Sequence, residues 1–162
     1  MFNKTIIITL AFLFSSSALA VQKDITVNAT VDSSVNITKA DGTMLPAAVR
    51  MDYFPGVGLA PVNMQTKIWS NTANKAIRVS LASQPNLTSI TSSAPAIPLS
   101  VKFDNTTLTT TATDFAYARL FPTGTTDGSI ALPLTIEQAT RAAIPASGEY
   151  SGMVSLVLTV EP

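Results

Sequence analysis

The 162-residue chain contains no cysteine and no histidine. Without cysteine there is no disulfide, no thiolate metal ligand and no sulfur nucleophile. Without histidine there is no imidazole base, no histidine-based triad and no histidine-ligated zinc. Charge is scarce as well: 10 Lys and Arg balance 10 Asp and Glu, and only 12% of residues are charged. No basic cluster exists to neutralise phosphates, so nucleic acid is excluded as a partner. No uninterrupted apolar run approaches the ~20 residues needed to span a bilayer as a helix. A helical period of useful length is also missing.

What is present begins with an export pattern. Lys4 gives a positive start, Ile6 to Phe14 is apolar except for Thr9, and Ala18-Leu19-Ala20 is a small-x-small cleavage site. Residues 1–20 are therefore expected to be a signal peptide, with the mature chain starting at Val21 and exported from the cytoplasm. Removing those 20 residues from 162 leaves 142, enough for one domain, and leaves 9 basic against 10 acidic residues, a net charge of −1. Mean hydropathy of +0.34 with so little charge suits a protein that works packed against copies of itself.

The first mature segment alternates strictly. Ile25, Val27, Ala29 and Val31 fall on one face of a strand, and Asp24, Thr26, Asn28, Thr30 and Asp32 on the other. Such a row at a free terminus needs an apolar groove, in its own domain or in another copy. Further alternating segments follow. A short extended piece at Val35 to Thr38 precedes an Asp41-Gly42 turn, and Ala47 to Tyr53 reads as strand. Val62 to Trp69 and Ile77 to Leu81 are one-faced strands, with Asn71 to Asn74 suited to a hairpin between them. Ser83 to Pro95 reads as loop. Ile97 to Phe103 is a strand that Pro98 should place at an edge or start irregularly, followed by an Asp104-Asn105 turn.

Thr106 to Thr113 is a short strand candidate, Asp114 to Leu120 strand or one helical turn, and Thr123 to Gly128 a loop. Ile130, Leu132, Leu134 and Ile136 form another row, while Glu137 to Ala143 has modest helical preference. The chain ends in a strand from Glu149 to Val160, with Tyr150, Val154, Leu156, Leu158 and Val160 on one face and Met153 and Val157 on the other. Short alternating strands without long helices give an all-β fold class, an antiparallel β-sandwich.

Isolated features carry less. Trp69, Arg78 and Arg119 are residue types that line sugar sites, but solitary aromatics and arginines serve mostly in packing or on solvated surface. Gly56-Val57-Gly58 lacks the strand and helix of a nucleotide loop and reads as a turn. Asp41, Asp104, Asp114 and Asp127 lack calcium-loop spacing and suit turns. Asn28, Asn36, Asn86 and Asn105 open Asn-x-Ser/Thr triplets incidental to a threonine-rich chain.

Three segments together carry a family resemblance: Val21-Gln22-Lys23-Asp24-Ile25-Thr26-Val27-Asn28-Ala29-Thr30-Val31-Asp32, Lys39-Ala40-Asp41-Gly42-Thr43-Met44-Leu45-Pro46, and Gly148-Glu149-Tyr150-Ser151-Gly152-Met153-Val154-Ser155-Leu156-Val157-Leu158-Thr159. They resemble the major pilins of α-type (class 5) fimbriae, which include colonization-factor and cable-type pili. The resemblance runs from end to end of the mature chain. One departure is Ser33, where related pilins often carry proline.

The resemblance implies an incomplete immunoglobulin-like sandwich completed by a donor strand. It implies assembly by the chaperone–usher route, in which a periplasmic chaperone lends a strand and the next subunit's N-terminal segment replaces it at the outer-membrane usher. Residues 21–33 are then the donor strand and 34–162 the pilin domain. Ile25, Val27, Ala29 and Val31 fill the groove. Tyr150, Val154, Leu156, Leu158 and Val160 form its wall and the chaperone's target.

The expected protein is thus no enzyme, needs no cofactor and binds no metal. It is the structural subunit of an adhesive surface fimbrium, partnered by neighbouring pilins, chaperone, usher and a tip adhesin. A host receptor for the pilin itself stays open. The alternatives are an adhesin or lectin-like secreted sandwich that binds a host glycan, and an enzyme using Ser with Lys or paired carboxylates. A tip adhesin needs an added receptor domain, and no spacing here marks a catalytic pair.

Overall fold

A computed structural model describes residues 34–162. The row Ile25, Val27, Ala29 and Val31 and the expected signal peptide lie outside the described residues.

The described chain forms twelve strands and one helical turn: β1 Val35–Lys39, β2 Tyr53–Phe54, β3 Gly58–Leu59, β4 Val62–Ser70, β5 Ile77–Leu81, β6 Asn86–Ser89, β7 Ile97–Phe103, β8 Thr106–Thr107, β9 Thr113–Phe115, α1 Tyr117–Leu120, β10 Leu132–Gln138, β11 Tyr150–Ser151 and β12 Leu156–Val160. One sheet runs β1-β4-β10-β7-β6-β11, with β8 beside β7; the second runs β12-β5-β9; β2 and β3 form a hairpin. Every strand pair among the described residues is antiparallel.

Alternation decides which side chains enter the core. Ile77, Val79 and Leu81 of β5 are buried while Arg78 and Ser80 are not. Leu99, Val101 and Phe103 of β7 and Leu132, Leu134 and Ile136 of β10 meet them from the facing sheet. Phe103 and Phe115 join the sheets edge to face, with ring centroids 5.2 Å apart and planes at 85°. These are the two layers of a sandwich. The β7–β8 turn uses positive φ at Asp104 (49°) and Asn105 (62°), the conformation a two-residue antiparallel hairpin needs.

Several expectations give way to the structure. Asn71 to Asn74 is no hairpin: it carries the chain from β4 in one sheet to β5 in the other. Of the two places expected for Pro98, an edge or the start of the strand, the edge is ruled out, because β7 lies between β10 and β6. Pro98 is the second residue of the strand, before the β10 pairing begins at Leu99, so it removes no bond from that ladder. Glu137 and Gln138 finish β10 rather than start a helix, whereas the helical turn at Tyr117–Leu120 lies within the Asp114 to Leu120 segment expected as strand or one helical turn. The Ser83 to Pro95 loop contains β6, held by backbone pairing to β7 and β11. The C-terminal strand is broken between Ser151 and Leu156.

Arg119, exposed itself, pairs with the carboxylate of Asp104, whose side chain is only 10% exposed. Arg119→Ala strands that carboxylate where water reaches it poorly. The expected loss is about 1–3 kcal/mol of stability, read as a lower urea midpoint with unchanged slope.

Candidate functional site: an open apolar groove

The sandwich is unequally covered. Facing the three-stranded sheet, the larger sheet has its central stretch buried, and toward the C-terminal end of β10 a groove runs beside its inner face. The groove is about 1150 Å³ in volume. Its floor is Met64 of β4, Leu134 and Ile136 of β10, Ile97 and Leu99 of β7 and Leu87 of β6. These are the inward residues of alternating strands, so the floor follows from the same period that builds the core.

Two irregular segments form the walls. One is residues 45–53, which runs from beyond β1 into β2; the other is residues 144–154, which leads into Leu156. Among the described residues no backbone hydrogen bond engages residues 44–51, so the Ala47 to Tyr53 strand expected from alternation is absent except at Tyr53–Phe54. Leu45, Ala47, Val49 and Met51 still alternate with Pro46, Ala48, Arg50 and Asp52. This is a strand-like sequence to which the described domain gives no ladder partner. On the opposite wall β12 pairs, within the described residues, only with β5, leaving its other edge without a ladder. Unpaired strand edges around an apolar trough are a template for another strand.

The C-terminal residues expected to line an acceptor site divide in two. Tyr150, Val154 and Leu156 line the groove. Leu158 and Val160 continue the row but pack, half-buried, on the core. The floor residues on β4, β6, β7 and β10 were not singled out from sequence, although the one-faced rows of β7 and β10 were the available signal. The wall at residues 45–53 was seen only as a strand.

Tyr150 is fixed by a 3.0 Å hydrogen bond from its hydroxyl to the Ala146 carbonyl. Beside it, Gly152 lies so close to the Asn86 backbone that an added Cβ would overlap the Asn86 carbonyl. Gly152→Ala is expected to push this wall off β6 and cost about 1–3 kcal/mol, checked by urea denaturation.

The other candidates are used internally. The Trp69 indole N–H donates to Thr38 Oγ1 at 2.8 Å. Arg78 pairs with Asp114 at 2.9 Å and with Glu161 at 3.9 Å. Asp41 accepts from the Thr43 hydroxyl (2.6 Å) and amide (2.9 Å), which hold its carboxyl below the usual range. Among the described residues, no group of three acidic, cysteine or histidine side chains is placed to hold a metal.

An open groove in an all-β domain can be compared with known proteins. A model of the family described as CS1 type fimbrial major subunit matches residues 21–159. The chain belongs to that family. As a fimbrial major subunit it is a structural protein of a cell-surface fimbrium, not an enzyme. A CFA/I fimbrial subunit of Escherichia coli is 38% identical over 166 residues, covering 98% of this chain and 98% of the relative. A CS1 fimbrial subunit of Escherichia coli is 32% identical over 159 residues, covering 93% and 92%. The solved structure of the CooA pilin subunit from enterotoxigenic Escherichia coli superposes with a TM-score of 0.69 at 28% identity, over 78% of this chain and 86% of that one. The fimbrial subunit thus has the immunoglobulin-like pilin sandwich.

Proposed function

We propose that this fimbrial subunit polymerises by lending its N-terminal row to the groove of a neighbouring copy. The observation that carries the reading is the trough between residues 45–53 and 144–154, apolar on its floor and bordered by backbone to which the described domain gives no ladder partner. The row Ile25 to Val31 spans seven residues, about 20 Å as a strand. Ile25, Val27, Ala29 and Val31 face the floor in this arrangement. Tyr150, Val154 and Leu156 border the inserted strand.

Exposed apolar surface of this kind invites aggregation before assembly. A periplasmic chaperone that occupies the groove in transit, and an outer-membrane usher where the next subunit replaces it, meet that need. Residues 1–20 direct export. The family match beginning at Val21, next to the small-x-small site, supports that boundary. A tip adhesin would end the filament.

The joint is noncovalent, since the chain has no cysteine. Protein sheared from cells is therefore expected to run on a denaturing gel as a ladder without heating and as one band after boiling. A single monomer band in unheated samples from fimbriated cells contradicts the proposal.

A further inference from the structure

The β2–β3 hairpin carries Tyr53, Phe54 and Val57 at 47%, 50% and 44% exposure, an apolar tip on a chain of low charge. Pro55 and Gly56 form its turn, closed by a 3.0 Å bond from Val57 N–H to the Phe54 carbonyl. Its base is clamped to β10: Leu59 N–H donates to Gln138 Oε1 at 3.0 Å, and Gly58, at φ +112°, leaves no room for a side chain against Gln138 and Ala142.

Strand register places this hairpin at one end of the groove. Lys39 at the end of β1 pairs with Thr66, and Thr66 with Leu132, whereas Leu59 bonds Gln138, six residues further along β10. The hairpin therefore stands about 20 Å from the β1 end. Tyr150 pairs with Ser89 at the hairpin end, and Leu156 opens β12, so the wall from Tyr150 to Leu156 runs away from the hairpin.

We propose that the hairpin tip is a second contact between copies, packing against the body of the subunit whose row fills the groove. The inference rests on the strand-insertion reading above. A visiting strand antiparallel to that wall, like every strand pair described here, leaves the groove at the hairpin end. Only Asp32 and Ser33 separate Val31 from Ser34, so the visitor's domain begins within about 10 Å of the exit. That start has little slack, because Ser34 N–H is held by Asn71 Oδ1 at 2.9 Å. The visitor's Ser34–Asn71 end is thereby brought over Tyr53, Phe54 and Val57.

The cysteine-free chain permits a direct test. Phe54→Cys and, separately, Val57→Cys are labelled with an environment-sensitive fluorophore in two states: mature monomer saturated with a synthetic peptide of residues 21–33, and fimbriae assembled by cells. The expected result is a blue-shifted, iodide-protected label in fimbriae and a water-exposed label in the peptide-bound monomer at both positions. An exposed label in fimbriae overturns the proposal, as does a label already shielded by peptide alone. Failure of unlabelled wild-type monomer to bind the peptide would instead remove the strand-insertion reading itself.

Discussion

Val27→Asp is expected to abolish fimbriae while leaving a folded subunit in the periplasm, and Ile25→Asp to do the same. In the proposed joint, burying the Val27 side chain contributes about 1.5–3 kcal/mol, all of it lost in the variant. The aspartate also has to leave water for an apolar floor of Met64, Leu99, Leu134 and Ile136, a cost of several kcal/mol. A combined penalty of about 5 kcal/mol is a loss of over a thousandfold in joint affinity. The sandwich core in residues 34–162 includes neither position, so the far-UV spectrum and core stability should stay unchanged. Electron microscopy of cells and immunoblots of periplasm check both halves. Normal filaments from either variant would refute the assignment of the row.

Phe103→Ala is expected to remove fimbriae for the opposite reason. Phe103 is fully buried and holds the two sheets together through Phe115. Truncation leaves a cavity between layers that cannot collapse without moving both, and costs about 3–5 kcal/mol. A domain without disulfides and with one open side has little reserve against such a loss. Periplasmic subunit should therefore fall sharply, whereas Val27→Asp leaves it present. The pair of variants separates a residue needed for assembly from one needed for folding; equal periplasmic levels of the two would contradict that division.

The sequence made the sandwich legible where burial and alternation coincide. β4, β5, β7 and β10 each bury one side against the facing sheet, so their rows read directly. β6 escaped notice because Asn86–Ser89 is mostly polar and is held by main-chain pairing, which leaves no apolar row. Residues 47–53 failed in the other direction. Their alternation is genuine, but a strand exists only when something pairs with it, and the described domain supplies no partner there. The connection at Asn71–Asn74 was misread because turn-forming residues serve equally for a hairpin and for a crossing between sheets.

The site was half legible. Alternation put Tyr150, Val154, Leu156, Leu158 and Val160 on one face and the family resemblance implied a groove wall; Tyr150, Val154 and Leu156 line the groove described here, and Leu158 and Val160 do not. A single strand's pattern does not tell where a neighbouring strand covers it, and here β1 contacts β12. The floor needed the long-range pairings of β4, β10, β7 and β6, which no local pattern contains.

The most direct test asks whose groove the N-terminal row occupies. Val27→Cys is placed in one tagged copy and Val154→Cys in another, co-expressed under oxidising conditions on the cysteine-free background. A disulfide joining the two differently tagged chains, at twice the monomer mass, is the predicted result. A chain carrying both substitutions that closes the bond within itself at monomer mass, with no link between separately tagged copies, would show the row stitched into its own sheet and contradict polymerisation by strand insertion.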